Sequence, residues 1–175
     1  MSSRKEKKVK TKKAAPKKAE VKLVQSPKGM HDHLPEEQPW RDRVRETGRE
    51  LAQFYGFGRL ETPTLEHVDL FLRGVGEETD LVGKEMYTLK TKGGDVLALR
   101  PEGTAPALRA YLEHGLSSKG QPQKLFYEAS IFRHENPQAG RYREHTQTGF
   151  EIIGGLGDPL YDGEVIAIAS HFLDD

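Results

Sequence analysis

The 175-residue sequence contains no cysteine, only one tryptophan and no long apolar run. Without cysteine, the chain makes no disulfides. Without an apolar run of about 18 residues, it has neither a membrane-spanning helix nor the apolar segment of a secretory signal. These absences predict a soluble, cytoplasmic protein. The seven histidines show no metal-ligand spacing, so the sequence also predicts no structural zinc.

Charge is unevenly distributed, although 27 basic and 27 acidic residues give a formal net charge of zero. Residues 1–22 carry ten Lys or Arg against two Glu, a net charge of +8, so the remainder carries −8. This segment has almost no bulky apolar side chain before Leu23, which predicts a disordered Lys-rich tail. It is interpreted as a polybasic RNA-binding arm, a targeting run or a solubilising extension without a dedicated partner.

The folded part is expected to span residues 23–175 and to mix helices with antiparallel strands, which places the chain in the α+β class. Helices are predicted over residues 40–54, 65–72, 104–116 and 158–172. In the first helix, five residues recur at steps of three and four: Trp40, Val44, Thr47, Leu51 and Phe54. Strands are predicted over residues 59–61, 86–89 and 96–99, with a turn-forming cluster between the last two.

A further hairpin, rich in polar residues, is predicted between residues 125 and 153. Its connection contains Asn136, Pro137 and Gly140, residue types that break strands and form turns. Because strand side chains alternate, one face of the second strand carries His145, Gln147, Gly149 and Glu151.

Arg133 ends an otherwise apolar row on the first strand of this hairpin, formed by Leu125, Tyr127, Ala129 and Ile131. A guanidinium at that position can bind a phosphate through two parallel hydrogen bonds, which a lysine cannot match. The number of arginines near the turn favours a site that binds a polyanion. A hairpin with cross-strand ion pairs is the alternative.

Four ordered stretches of the sequence resemble one known family. Residues 132–143 read FRHENPQAGRYR and are followed by QTGFE at residues 147–151, which together resemble motif 2 of histidyl-tRNA synthetases, a family of class II aminoacyl-tRNA synthetases. KGMHD at residues 28–32 resembles the family's N-terminal signature, FGRLETP at residues 57–63 its motif 1, and LRPEGT at residues 99–104 its amino-acid-binding loop. The resemblance implies an antiparallel class II synthetase sheet flanked by helices, incomplete in this chain.

The resemblance also implies a histidine-binding site. Glu102 and Thr104 would hold the substrate's α-amino group, Gln147 would lie beside its amino or carboxylate end, and Glu151 would face the imidazole. A buried carboxylate selects a ring N–H donor and rejects apolar side chains, which would leave it unpaired. From the residues alone, Glu102 could instead interact with the N-terminus of the following helix, where Thr104 is a possible N-cap.

ATP and Mg²⁺ are implied in the same way. Arg133 would bind the α-phosphate and stabilise the charge that develops during amino-acid activation, and Arg141 would reach the terminal phosphates. Glu135 would lie near the adenine or the metal. The family usually has an aromatic ring that stacks on adenine at the position of His145. The sequence departs from the family here, but an imidazole can also stack and would partly replace that ring. Catalysis of this type needs positioning and fixed positive charge rather than a covalent nucleophile.

The sequence ends soon after motif 2, without the family's third motif or an anticodon-binding domain, so it is interpreted as the N-terminal part of a catalytic domain. The first functional hypothesis is ATP-dependent activation of histidine and its transfer to the histidine tRNA, by a homodimer formed through the motif 1 region near Pro63. The alternative is a synthetase-like regulatory subunit of histidine biosynthesis that binds histidine without charging tRNA. A noncatalytic RNA-binding or interaction module is the third hypothesis.

Overall fold

The computed structural model describes residues 23–75, 85–136, 138–155 and 157–174. The tail at residues 1–22, for which disorder is expected, lies outside the described residues. The helices are α1 (Gln38–Phe54), α2 (Val68–Val75), α3 (Thr104–Glu113) and α4 (Pro159–Asp174), with short 3₁₀ turns at Pro35–Glu37 and Leu116–Lys119. The strands are β1 (Gly58–Arg59), β2 (Leu65–His67), β3 (Thr88–Lys90), β4 (Val96–Leu99), β5 (Gln123–Phe132) and β6 (Glu144–Ile153).

The strands form two three-stranded sheets. The first has the order β1-β5-β6, with β1 parallel to β5 and β5 antiparallel to β6. The second has the order β2-β4-β3 and is antiparallel throughout. The two predicted hairpins, β3–β4 and β5–β6, are therefore confirmed, and the fold is α+β as the sequence predicts.

The two faces of the β5–β6 hairpin bury different helices. On one face, Phe126 packs with Ala52 of α1, Ile168 of α4 and Phe57. Gly48 of α1 lies close to the hairpin, since an added Cβ would stand 3.4 Å from Thr148 and 3.5 Å from Phe126. On the other face, a second buried cluster joins Ala107 of α3 to three β5 residues, Tyr127, Ala129 and Ile131. The hairpin is thus covered by α1 and α4 on one side and by α3 on the other.

The register of the hairpin confirms the predicted alternation. Tyr127 stands opposite Gly149, and Leu125 opposite Glu151. Directly opposed residues of an antiparallel pair project on the same side. The face of β6 that carries Gln147 and Glu151 is therefore the face of β5 that packs against α3.

One predicted helix is wrong in part, and the predicted first helix buries its small residues. Residues 65–67, expected to be helical, form β2, because pairing with β4 overrides a short apolar pattern. In α1, the buried residues are Thr47, Gly48 and Ala52, whereas Trp40 and Phe54 are 78% and 81% exposed. Small residues let α1 approach the sheet, while Trp40, Val44 and Phe54 are turned outward.

Arg100 joins the two sheets at the end of β4. Its backbone N–H donates to the carbonyl of Thr64 at 3.0 Å, and its carbonyl accepts from the N–H of Phe132 at 3.0 Å.

Within the described residues, no helix is long and apolar enough to cross a membrane.

Candidate active site

Three side chains meet at one carboxylate oxygen on the α3 face of the hairpin. The Thr104 hydroxyl, at the start of α3, donates to Glu151 Oε1 at 2.8 Å. The Tyr127 hydroxyl donates to the same oxygen at 3.2 Å. The structure therefore brings Thr104 and Glu151, two residues expected to bind the amino acid, into direct contact.

Glu102 caps the N-terminus of α3. Its two carboxylate oxygens accept from the backbone N–H groups of Thr104 at 2.6 Å and Ala105 at 2.8 Å. The N-cap position belongs to Gly103, so the possible N-cap role of Thr104 is wrong and the interaction of Glu102 with the helix N-terminus is confirmed. An ionised carboxylate accepts about four hydrogen bonds, so this capping leaves Glu102 able to accept from a bound amine.

Tyr127 lies between two glycines that belong to different sequence motifs. A Cβ added at Gly103 or at Gly149 would overlap the tip of the Tyr127 ring. Burial raises the pKa of Tyr127 to about 12; a hydrogen bond with Thr104 opposes this shift, and the nearby Glu151 and Glu102 carboxylates add to it. The hydroxyl is consequently protonated at neutral pH and acts as a donor.

Gln147 presents an unpaired acceptor on the same face. It stands opposite Ala129, two residues along β6 from Gly149. Its Oε1 is buried and has no hydrogen-bond partner among the described residues. Since buried polar groups are normally hydrogen-bonded, this oxygen is suited to receive a donor from a ligand. Gln147 thus shares a strand face with Glu151.

The loop end of the hairpin gathers arginines around one buried carboxylate. Arg133 Nη1 lies 3.9 Å from Glu135 Oε1, and Arg141 Nε is paired with Glu135 Oε2. The Glu135 side chain is 7% exposed, whereas those of Arg133 and Arg141 are 33% and 57% exposed. The guanidinium groups consequently remain open to solvent and to anionic ligands.

Arg133 also connects the loop end of the hairpin to residues 99–104, the stretch that resembles the family's amino-acid-binding loop. Its Nε donates to the carbonyl of Pro101 at 2.8 Å, one residue before Glu102. The hydrogen bond places a fixed positive charge beside the loop whose carboxylate caps α3. A phosphate bound by Arg133 would therefore lie near an amino acid bound at Glu102 and Glu151.

His145 lies opposite Ile131 on the same hairpin face, near Arg133. Burial, followed by the positive charge of Arg133, lowers the pKa of His145 below its ordinary value of 6.5. This shift favours the neutral imidazole at pH 7, the form that stacks on an adenine ring without adding charge.

Two supporting arginines were missed by the sequence reasoning, as was Tyr127. Arg100 is 8% exposed and donates to the carbonyls of Ser130 at 2.9 Å and Thr62 at 2.8 Å. The pKa of Arg100 is lowered overall, because the effect of burial exceeds the opposing effects of Glu66 and Tyr127. Arg143 donates to the carbonyl of Glu135 at 3.0 Å. For Tyr127, the only sequence signal was the presence of Gly103 and Gly149, which leave space for its ring.

The N-terminal signature is also tied to the hairpin loop. The Arg143 backbone N–H donates to the carbonyl of Gly29 at 2.8 Å, and its side chain reaches the carbonyl of Lys28 at 3.4 Å. The rings of His31 and Tyr142 meet edge to face, with centroids 4.6 Å apart. Three of the four ordered stretches thus meet around the loop end, and Arg100 brings in the fourth through Thr62.

Known proteins of one family resemble this chain. The sequence profile of the family described as histidyl-tRNA synthetase matches residues 29–175. A histidine–tRNA ligase of Dehalococcoides mccartyi is 54% identical over 150 residues, which are 86% of this chain and 36% of that protein. One from Geobacillus thermodenitrificans is 51% identical over 148 residues, 84% of this chain and 34% of that protein. The chain spans about a third of the length of these relatives.

Solved structures give the same result at the level of the fold. Apo histidyl-tRNA synthetase of S. aureus superposes with a TM-score of 0.72 at 36% identity, covering 86% of this chain and 34% of that one. A Bacillus halodurans protein named as an ATP phosphoribosyltransferase regulatory subunit/histidyl-tRNA synthetase gives a TM-score of 0.73 at 30% identity, covering 89% of this chain and 38% of that one. With the profile match over most of its length, the chain belongs to the histidyl-tRNA synthetase family.

Proposed function

We propose that this chain carries the histidine-binding and ATP-binding elements of a histidine–tRNA ligase, which activates histidine with ATP and transfers it to its tRNA. The observation that carries the proposal is the hydrogen bond from Arg133 to the carbonyl of Pro101. It couples the cation expected to bind the α-phosphate to the loop expected to bind the amino acid. Activation requires those two substrates to react with each other.

Each group has a part in this reaction. Glu151 accepts from the imidazole, and the remaining acceptor capacity of Glu102 receives the α-amino group. The substrate carboxylate then attacks the α-phosphorus, and pyrophosphate leaves. Arg133 stabilises the negative charge that grows on the α-phosphate oxygens. Because the two substrates are held side by side, the attack gains from orientation as well as from charge.

ATP and Mg²⁺ fit the loop end in charge. The exposed guanidinium of Arg141 can reach the terminal phosphates, and the neutral ring of His145 is available to the adenine. Mg²⁺ is usually held by one or two carboxylates together with substrate phosphates, so most of its ligands would come from ATP and water. Glu135 is the carboxylate nearest to the arginines, and its pairing with them competes with metal binding. Bound magnesium would neutralise phosphate charge as the bond to pyrophosphate breaks.

Dimerisation through the motif 1 region is part of the same proposal. Pro63 is exposed, and α1 presents Trp40 and Phe54 to solvent. Exposed large apolar residues on one helix are typical of surfaces that another chain or domain covers. We also infer that residues 23–175 form the N-terminal portion of a class II catalytic domain.

Histidine-dependent exchange of pyrophosphate into ATP tests the proposal directly. The unmodified chain is expected to catalyse exchange with histidine and not with other amino acids. Arg133→Ala is expected to lose about 10²–10³ of the rate, the usual cost of removing one donor to a developing negative charge. Arg49→Ala is the matched control, because Arg49 pairs with Glu128 of β5 at 3.5 Å, on the opposite face of the hairpin. Exchange that persists in Arg133→Ala would contradict the assignment.

A regulatory subunit that binds histidine is the second candidate, favoured by the likeness to the Bacillus halodurans protein and its double name. Calorimetric binding of histidine by the chain, without any pyrophosphate exchange, would support this candidate. Exposed arginines around Glu135 favour the ligase, since a histidine sensor has less need of groups that bind a triphosphate.

A further inference from the structure

Both hydroxyl donors to Glu151 act on the same carboxylate oxygen. Thr104 and Tyr127 donate to Oε1, and in the described part of the chain Oε2 accepts no hydrogen bond. We propose that Tyr127 is a positioning residue that fixes the orientation of Glu151 and thereby sets the specificity of the pocket for a side chain with a ring N–H donor. The inference rests on the proposed histidine site and adds a residue that determines its selectivity.

Tyr127 is suited to this role because its ring cannot move. The side chain is 4% exposed, and its tip lies between the Cα atoms of Gly103 and Gly149. Gly103 belongs to the loop before α3, and Gly149 stands directly opposite Tyr127 on β6. The hydroxyl therefore has one position relative to both elements. A donor fixed in this way restricts the rotation of the carboxylate that accepts from it.

The direction of the hydrogen bond is also fixed. The phenol carries its proton in the neutral range and the carboxylate has none to give, so the hydroxyl is the donor; burial raises the pKa of Tyr127 to about 12 and extends this state to higher pH. Thr104 occupies the same oxygen from the side of α3. A carboxylate oxygen has about two lone-pair sites, so Oε1 is saturated and Oε2 is the acceptor that remains for a ligand.

Selectivity follows from having one free acceptor in a fixed direction. An imidazole N–H can donate to Oε2, whereas an apolar side chain would cover the carboxylate and leave this oxygen unpaired. If the carboxylate rotated freely, it could turn to meet amide or hydroxyl donors placed elsewhere. Tyr127 acts on the substrate through Glu151, without needing to touch it.

The test uses Tyr127→Phe, which removes the hydroxyl and keeps the ring between the glycines. L-histidine affinity, measured by calorimetry on the full 175-residue chain, is expected to fall about tenfold, as expected for losing one hydrogen bond to a charged group. Tyr111→Phe is the matched control, because Tyr111 is also buried and its hydroxyl accepts from the Gln121 amide at 2.7 Å. That variant is expected to bind histidine with unchanged affinity.

A spectroscopic readout separates positioning from a merely structural role. With ¹⁵N-labelled histidine bound, the resonance of the ring nitrogen that donates to Glu151 is expected to shift in Tyr127→Phe and to stay in place in Tyr111→Phe. Unchanged affinity and an unchanged resonance in Tyr127→Phe would overturn this inference and leave the histidine site standing. Failure of the unmodified chain to bind histidine would overturn both the inference and the proposed function.

A second pair of variants covers the case in which Tyr127→Phe does not fold. Thr104 is exposed at the start of α3, so its substitution does not disturb the core. Thr104→Val removes the other donor to Oε1 and is expected to shift the ¹⁵N resonance of the bound imidazole nitrogen that donates to Glu151. Thr104→Ser keeps the hydroxyl and is expected to leave that resonance in place. Equal imidazole resonances in the Val and Ser variants would overturn the proposal that donors at Oε1 orient Glu151.

Discussion

At the end of the β5–β6 hairpin nearest α3, carboxylates are held by neutral donors, whereas at the loop end arginines surround a buried carboxylate. Glu102 accepts from two backbone N–H groups, and Glu151 from two hydroxyls. At the loop end, Arg133 and Arg141 face Glu135. One end therefore offers acceptors and the other offers cations.

This difference matches the two partners of an adenylation reaction. An amino group and an imidazole bring donors, and a triphosphate brings negative charge and acceptor oxygens. Neutral donors keep the carboxylates oriented without cancelling their charge, so a charged amine is still attracted. The exposed guanidinium groups keep their charge available to phosphate in the same way. Two opposite environments are thus built on one hairpin face, separated by a few residues of strand.

The largest effect is expected from Gly149→Ala, which should damage the end of the site at Glu102 and Glu151 and leave the arginine end intact. The added methyl would overlap the Tyr127 ring, which is buried and cannot retreat. Overpacking of this kind typically costs about 1–3 kcal/mol in the free energy of unfolding. Urea denaturation should detect this loss, and calorimetry should find that histidine binding is abolished while ATP binding persists.

Gly163→Ala is the control for that substitution. Gly163 lies within α4, and an added Cβ would meet nothing within 4 Å. Replacing a helical glycine by alanine usually stabilises by about 0.5–1 kcal/mol. A Gly149→Ala variant as stable as the Gly163→Ala variant would contradict the close packing around Tyr127.

A smaller effect is expected from salt, which should sharpen the contrast between the two ends. Raising the ionic strength screens exposed charges, so ATP binding at the exposed arginines should weaken several-fold. In the proposed site, histidine would bind through hydrogen bonds to partly buried carboxylates, so its affinity should change little. Titrations of ATP and of histidine at low and high salt measure how the affinity for each ligand changes with salt concentration, which is the slope compared here. Equal slopes for ATP and histidine would refute the electrostatic distinction.

The smallest effect concerns the protonation of His145. Burial and then Arg133 lower its pKa in the folded chain, so the unfolded chain binds this proton at a higher pH. Above the ordinary histidine pKa near 6.5, the neutral His145 should therefore make its full contribution to the free energy of unfolding. This contribution should be lost as the pH falls through the pKa of the folded chain. His145→Gln should remove this part of the pH dependence, as followed by urea denaturation at each pH.

Arg133→Ala provides a second check on His145 by NMR titration. Loss of the guanidinium should raise the pKa of His145 only part of the way to its ordinary value, because burial is the larger cause. A pKa of His145 that does not respond to the loss of Arg133 would contradict the electrostatic coupling between these two groups of the loop end.

The hairpin could be predicted from the sequence because its pattern is local. Alternation assigned Gln147 and Glu151 to one face, and turn-forming residues marked the loop. The contact between Thr104 and Glu151 joins residues 47 positions apart and depends on how α3 docks, which no local pattern specifies. The same holds for Tyr127, whose role depends on one glycine from each of two distant segments.

Misassigned segments had a similar cause. Residues 65–67 pair with β4, and this pairing decided their conformation. In α1, the apolar stripe through Trp40 and Phe54 indicated a helix correctly but not which side faces the sheet. That side was chosen by the small residues Gly48 and Ala52, which allow the close approach. Helix periodicity identifies an element, while the fit between surfaces selects its buried face.

The buried guanidinium of Arg100 has a consequence for how the site opens. It connects the carbonyls of Thr62 and Ser130, and its own backbone bonds to Thr64 and Phe132. Motif 1, the amino-acid loop and the arginine-bearing hairpin are thereby linked at one residue. Local opening in proteins proceeds in cooperative units. The amides around Arg100 should consequently exchange with solvent together, so that the end of the site at Glu102 and the end at Arg133 open and close in a single event.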